Sequence, residues 1–335
     1  MASKPTARRK QAGPRPEVAS TANPNASVLP AESGFRLRLG RTVWRLIGTE
    51  GTEGWLAEFA RILELEPWRP GRGKGGRARK MIFWNTLKPA SEATRNLLPW
   101  AGSAGPESCG WTGQWTNPVG IWTHPGSPDI VLQIRSLDNR LLAVENMVKS
   151  CYAFFPPIIS EGGSVLHAAL VEKNGRGVVL AASGGVGKST CARRIPPPWK
   201  ALCDDTCLVL PDGRGGFQVH PFATWSDYLW ERSRGTWKVE SPVPLQAVFF
   251  LKHSEEDNAQ PLGQGESAIH LSRSSHELLA AFLESMDRDR ARSFRQDIFD
   301  NACALSRKVT AYWLEVNLEG RFWTKIDKAL DERLF

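Results

Sequence analysis

Hydrophobic and polar positions change rhythm along this chain, and each change marks an element. The stretch "FRLRLGRTVWRLIG" (35–48) alternates apolar and polar side chains with period two, the pattern of a half-covered strand. "GWLAEFARILEL" then sets Trp55, Leu56, Phe59, Ile62 and Leu63 on one helical face. From Met81 to about Ser136 the chain is dense in Trp, Pro and Gly, which predicts short strands and turns. "SLDNRLLAVENMVKSCYAFF" (136–155) predicts a helix.

The second half is more regular. "SVLHAALVEKNGRGVVLAA" is two apolar runs about Asn174-Gly175. Asn-Gly accepts positive φ at both central positions, so it predicts a tight antiparallel hairpin. A helix follows and is cut to about two turns by Pro196, Pro197 and Pro198. "WKALCDDTCLVL" reads as a strand broken or bent at an Asp pair, and "VPLQAVFFL" as a buried strand. "SSHELLAAFLESM" predicts a helix opening at Ser274, with Glu277 three residues on as its capping-box partner. "RSFRQDIFDNACALSRK" and "RFWTKIDKAL" predict helices around a late strand, "TAYWLEV". No internal repeat is visible.

Three segments follow. Residues 1–33, rich in Pro, Ala, Ser and Asn without periodicity, predict a disordered tail. Residues 34–142 predict a β-rich N-terminal domain with one helix. Residues 143–335 predict an α/β domain built on a mixed sheet.

Charge adds little to fold but suggests partners. The net charge is +8. The tail carries Lys4, Arg8, Arg9, Lys10 and Arg15 against Glu17 and Glu32, and Arg69–Lys80 holds six basic residues and no acidic one. Both read first as solvated segments; the sharper alternative is a contact for nucleic acid or an acidic peptide. Nucleic acid is the less expected partner. No apolar run reaches the ~18 residues of a membrane span, and the N-terminus has no secretory hydrophobic region. Six scattered cysteines do not make a disulfide scaffold, so a soluble protein in the reducing cytoplasm is expected.

The chemistry concentrates in "ASGGVGKST". Glycines let backbone N–H groups curl towards phosphate oxygens, and the helix that follows aims its positive end at them. The predicted cradle is Ser183, Gly184, Gly185, Val186, Gly187, Lys188, Ser189 and Thr190. Lys188 suits β- and γ-phosphates, and the Ser189 hydroxyl suits Mg²⁺. Ala182 stands where the strict pattern has Gly, and partition-type ATPases carry Lys where this chain has Ser183.

The run from Ser164 through this loop to "ALCDD" resembles the HPr kinase/phosphorylase catalytic domain, whose fold is related to phosphoenolpyruvate carboxykinase. "HAALVEKNGRGVVLAA", "GKSTCARRIPPPW", "LCDD" and "HPFATWSDY" are most similar to the HPr kinase-like proteins of SynChlorMet-type peptide-modification cassettes. The second motif that marks HPr kinases proper is not found, which points away from HPr as substrate.

The resemblance implies ATP and Mg²⁺ as cofactors. It implies Asp204 as the group that accepts the acceptor's proton, Asp205 with Ser189 as metal ligands, and His167 beside the phosphates. Hexamers occur among HPr kinases, so a homo-oligomer is implied as well. His220 is a candidate for acceptor binding, and Arg232 and Arg234 for transition-state charge. Arg193 and Arg194 read as a helix-surface pair. Cys203 and Cys207, ~13 Å apart on an extended strand, read as core residues rather than a zinc pair. Trp residues in 84–122 read as core, with base stacking or peptide binding as alternatives.

The expected function is ATP-dependent phosphorylation of a hydroxyl on a peptide or small protein, such as a precursor peptide of a biosynthetic cassette. The alternatives are a catalytically silent ATP-binding module that recruits a peptide, and a nucleic-acid-linked ATPase.

Overall fold

A computed structural model describes residues 34–69, 78–98, 100, 103–230 and 235–332. The tail 1–33, most of the basic stretch (70–77), and Arg232 and Arg234 lie outside the described residues.

The chain builds two mixed sheets. The first holds β1 (Phe35–Leu39), β2 (Thr42–Gly48), β3 (Arg79–Asn85), β4 (Thr112–Trp115), β5 (Gly120–His124) and β6 (Ser127–Ile134), in the order β1-β2-β3-β6-β5-β4. The period-two stretch at 35–48 is therefore two strands, not one. The chain reverses at Gly40, whose φ of +57° suits a residue without a side chain. α1 (Glu53–Ile62) buries the predicted face. A second helix, α2 (Glu92–Leu97), was not evident from the pattern; it is six residues long and capped by the Ser91 side chain. The tryptophans pack: Trp100 meets Trp111 at 5.1 Å and Trp122 at 6.4 Å between ring centroids, above Ile82 and Val131.

α3 (Arg140–Ser150) and α4 (Phe155–Ser160) lead to the second sheet, so the expected boundary at 142/143 falls inside a helix. The second sheet contains β7 (Ser164–Lys173), β8 (Arg176–Ala181), β9 (Lys200–Cys203), β10 (Thr206–Pro211), β11 (Phe217–Pro221), β12 (Val243–His253), β13 (Asn258–Pro261) and β14 (Thr310–Val316). Its order is β11-β10-β7-β8-β12-β14-β13, with β9 also on β7. The sheet curls far enough for β11 to pair with β12 as well. Gly177 permits that approach, because a Cβ there would come 2.5 Å from Val243.

Between these strands lie α5 (Lys188–Arg194), α6 (Trp225–Leu229), α7 (Gln264–Glu284), α8 (Arg288–Ser306) and α9 (Phe322–Asp331). α5 and α9 cover one face of the second sheet over Val178, Leu180, Phe249 and Leu314. The other face belongs to a core that runs on into the first sheet. Trp44 packs edge-on to Phe154 at 5.6 Å, and Phe59 stacks on Trp225 at 5.9 Å.

Helix α7 corrects an expectation. It begins ten residues before Ser274, after Gly263, so Ser274 and Glu277 sit mid-helix and form no capping box. The apolar pattern of 264–273 is weak, because this part of α7 buries Ser267, Ala268 and Ser272 beside Leu271. Small residues let the helix lie close to the sheet.

Candidate active site

The Asn174-Gly175 turn forms as expected, with φ of +53° and +77°, and β7 pairs antiparallel with β8. β8 ends at Ala181, the loop spans 182–187, and α5 starts at Lys188. Gly185 and Gly187 have φ of +83° and +104°, and neither faces another group within 4 Å where a Cβ would stand. Strand, glycine loop and helix thus follow in the order a phosphate cradle needs. α5 stops at Arg194, just before the prolines.

Lys188 is only 7% exposed. Its Nζ folds back over the loop and donates to the carbonyls of Ala182 at 2.8 Å and Ser183 at 3.4 Å. Burial pushes its pKa down, opposed by the charges of Asp205, Glu277 and Asp204. Burying an ammonium is costly unless it is hydrogen-bonded, and here the two loop carbonyls supply those bonds.

The Asp pair occupies a bulge. β9 and β10 both pair antiparallel with β7, and the register breaks between Cys203↔Leu170 and Thr206↔His167. Asp204 and Asp205 fill that break, half-buried, with the Asp205 carbonyl accepting from Ala168 N at 3.0 Å. The bulge also corrects the cysteine spacing. Cys203 and Cys207 stand with sulfurs 3.6 Å apart, not ~13 Å. The residues between them loop outward, so the strand is not extended there. Both are buried free thiols, as a core reading requires.

The two carboxylates turn to different partners. Asp204 Oδ1 accepts from the Thr224 hydroxyl at 2.6 Å. Asp205 Oδ1 lies 3.4 Å from His167 Nε2. Across the imidazole, His167 Nδ1 stands 3.6 Å from Glu277 Oε2. Glu277 Oε1 accepts from the Ser183 hydroxyl at 2.7 Å, which ties α7 to the start of the loop. Ser274, one turn earlier, donates to the His167 carbonyl at 3.3 Å. His167, Lys188, Ser183 and Asp205 are therefore brought together. Ser189 and Thr190 lie half-buried in the first turn of α5.

Two residues of this cluster escaped the sequence. Glu277 was read as a cap, and Thr224, though inside "HPFATWSDY", was given no role; both reach the site only through strand order. His220 goes the other way. It lies on β11, 2% exposed, and donates Nδ1–H to the Val239 carbonyl at 2.7 Å. Burial drives its pKa down to about 4. It is a neutral histidine buried in the core. Arg194 turns away too, donating to the carbonyls of Asn317 and Gly320, while Arg193 is exposed.

Among the described residues, no three His, Cys, Asp or Glu side chains are grouped to hold a metal by themselves. Mg²⁺ prefers oxygen ligands and keeps several of them from water or phosphate. Ser189 and Asp205 are hard oxygen donors of the required kind. No helix among the described residues is long and apolar enough to cross a membrane.

One protein-family model, described as SynChlorMet cassette protein ScmC, matches residues 130–331. The match takes in the loop, the Asp bulge, His167 and Glu277, and starts within β6. No curated protein matches the chain.

Proposed function

The chain belongs to the ScmC family of SynChlorMet cassette proteins, and from its glycine loop and Asp bulge we propose that it is an ATP-dependent kinase acting on a hydroxyl of a peptide or small protein. The observation that carries this reading is a glycine loop that ends at the buried Lys188, next to a strand pair whose bulge presents Asp204 and Asp205. In this reading the second sheet has the HPr kinase/phosphoenolpyruvate carboxykinase-like architecture, and the acceptor is a precursor peptide of the cassette.

ATP lies with its β- and γ-phosphates in the loop 183–190. Lys188 leaves the Ala182 and Ser183 carbonyls and pairs with phosphate oxygens, which offsets the cost of its burial. Ser189 and Asp205 would hold Mg²⁺, whose charge would offset that of the phosphates. The acceptor hydroxyl attacks the γ-phosphorus. One O–P bond forms, the bond to the β-phosphate oxygen breaks, and ADP leaves. The hydroxyl proton passes to Asp204, whose other partner is Thr224. Thr224 fixes the carboxylate's direction. Loose phosphoryl transfer needs positioning and charge more than a strong base.

The test uses the full chain with Mg·[γ-³²P]ATP and the short peptides encoded in the same cassette. Label on a Ser, Thr or Tyr of one peptide is expected. ATP binding without label on any peptide would instead support the silent recruitment module.

A further inference from the structure

Helix α7 crosses the strands rather than following one. Near its start, Glu266 accepts from Trp313 Nε1 of β14 at 3.1 Å. His270 meets the rings of Trp313 at 4.7 Å and Phe250 of β12 at 5.1 Å. Ser274 and Glu277 reach His167 of β7. The order β7-β8-β12-β14 contains three strand steps, about 14 Å. Eleven residues of helix, from Glu266 to Glu277, rise about 16 Å. The two lengths agree, so α7 spans from one side of the loop strand, β8, to the other.

The phosphate loop therefore has two flanks. On the β7 flank stand His167 and the Asp bulge. Toward the β12/β14 flank runs a cavity of about 130 Å³ lined by Ser183, Val186, Phe250, His270, Arg273 and Trp313, with Ser274 and Glu277 of α7 lining its end nearer His167. Its walls on β12 and β14 carry no role in the phosphate reading.

We propose that this cavity takes the heteroaromatic base of the nucleoside triphosphate whose phosphates occupy the loop. The inference rests on the phosphate-loop reading above. It follows first from direction: a nucleotide is a linear molecule, and if its γ-end faces the Asp bulge, its other end leaves toward β12 and β14. It follows next from size. A cavity of about 130 Å³ is several times the space one water needs and admits a planar ring system. The ribose stays at the open mouth.

The wall chemistry suits a flat, weakly polar ring. Phe250, Val186 and Trp313 offer apolar and aromatic surface. Trp313 is fixed in orientation by its bond to Glu266, so little freedom is lost on stacking. His270 is kept neutral at pH 7, since burial and the nearby Arg273 lower its pKa. Arg273 is exposed at the rim, where a planar guanidinium can lie over a ring.

Calorimetric titration of the full chain with Mg·ATP and with Mg·tripolyphosphate tests this. Wild type should bind ATP about tenfold or more tighter than tripolyphosphate, the span expected of one stacked base at ~1–3 kcal/mol. Arg273→Ala and Trp313→Leu should each narrow that ratio at least threefold while leaving tripolyphosphate affinity in place. Equal affinity for the two ligands in wild type, or an unchanged ratio in both variants, would overturn the base site and leave the phosphate loop standing. Equal loss of both ligands in Arg273→Ala would make it a phosphate contact and also overturn its part. Tripolyphosphate binding that is absent, or indifferent to Lys188→Ala, would bring down the loop reading and this inference together.

Discussion

The Glu277 carboxylate accepts a hydrogen bond from the Ser183 hydroxyl at 2.7 Å and stands 3.6 Å from His167 Nδ1, joining three separate elements at the rim of the phosphate loop. A carboxylate so placed would repel a triphosphate bound in the loop. Glu277→Gln keeps an acceptor for Ser183 and removes the charge. At a partly solvated site the repulsion is worth ~1 kcal/mol, so tripolyphosphate should bind about fivefold tighter to the variant. Phosphate transfer should not improve in step, because His167 loses the carboxylate that faces its Nδ1. Unchanged or weaker tripolyphosphate binding would remove Glu277 from the anion's surroundings.

Lys188 links function to stability with opposite signs. Lys188→Met should abolish Mg·ATP binding in calorimetry. It should also make the empty protein no less stable, because a buried ammonium is replaced by an apolar chain of similar length. The pH dependence follows from the lowered pKa. Between that value and the ordinary 10.5, the unfolded chain holds more protons than the folded one. Stability contributed by Lys188 therefore rises with pH in this window, and the rise should vanish in Lys188→Met. Denaturant melts between pH 8 and pH 10.5 measure both.

Asp204 and Asp205 should separate binding from chemistry. Asp204→Asn is expected to bind Mg·ATP like wild type and to transfer phosphate roughly 10²- to 10⁴-fold more slowly. Thr224→Val, which leaves Asp204 charged but unguided, should slow transfer less. Asp205→Asn should instead weaken the Mg²⁺ dependence. Single-turnover assays with labelled ATP distinguish these outcomes, and normal transfer by Asp204→Asn would cancel its role.

Local features of this site were legible in the sequence because local rules govern them. Asn174-Gly175 closes its hairpin through backbone preference, three prolines end α5, and "GGVGKST" sits between strand and helix. The Asp pair was visible as an interruption in an apolar strand. What the sequence hid is set by long-range packing. Glu277 lies 94 residues from Ser183, and only the sheet order and the path of α7 bring them together. The start of α7 was missed because Ser267 and Ser272, buried against the sheet, read as polar surface. His220 misled in the other direction, since nothing local says that Val239 supplies its partner.

His220 predicts an acid-sensitive core. Its pKa is about 4 in the fold and 6.5 when exposed. The neutral ring favours folding fully above pH 6.5, and the contribution is lost as pH falls toward 4, where the unfolded chain takes up the proton first. The loss amounts to about 3 kcal/mol at most. His220→Asn places an amide N–H near the Nδ1 position and does not titrate. Urea melts at pH 7, 5.5 and 4 should show wild type losing more stability than the variant across that range. Parallel curves would mean that water reaches the ring.

The last prediction concerns residues 34–142. Choice of acceptor by this region would be simplest to test by deletion, but the structure argues that deletion unfolds the rest. Trp55 donates its indole N–H to the Ala143 carbonyl at 2.8 Å, and Gln114 donates to the Phe282 carbonyl and the Ser285 hydroxyl on α7. Trp44 and Phe59, both without measurable exposure, cover Phe154 and Trp225. Uncovering such aromatic surface costs roughly 2–3 kcal/mol for each large side chain, and several are involved. That sum rivals the whole stability of a domain, about 5–15 kcal/mol. A chain beginning at residue 140 should therefore lack near-ultraviolet circular dichroism, bind anilinonaphthalene sulfonate and melt without cooperativity. A sharp melt near the wild-type temperature would show that the second sheet stands alone. Given the expected failure, acceptor choice is to be read with point changes in the full chain. The side chains to alter are those that line the 290 Å³ cleft between the first sheet and the helices α4, α7 and α8, such as Arg79 and Arg290. If residues 34–142 select an acidic peptide, Arg79→Glu should raise its KM several-fold, leave ATP affinity unchanged, and lose that effect as salt screens the field over ~8–10 Å. An unchanged peptide KM at low salt would move acceptor selection to the second sheet.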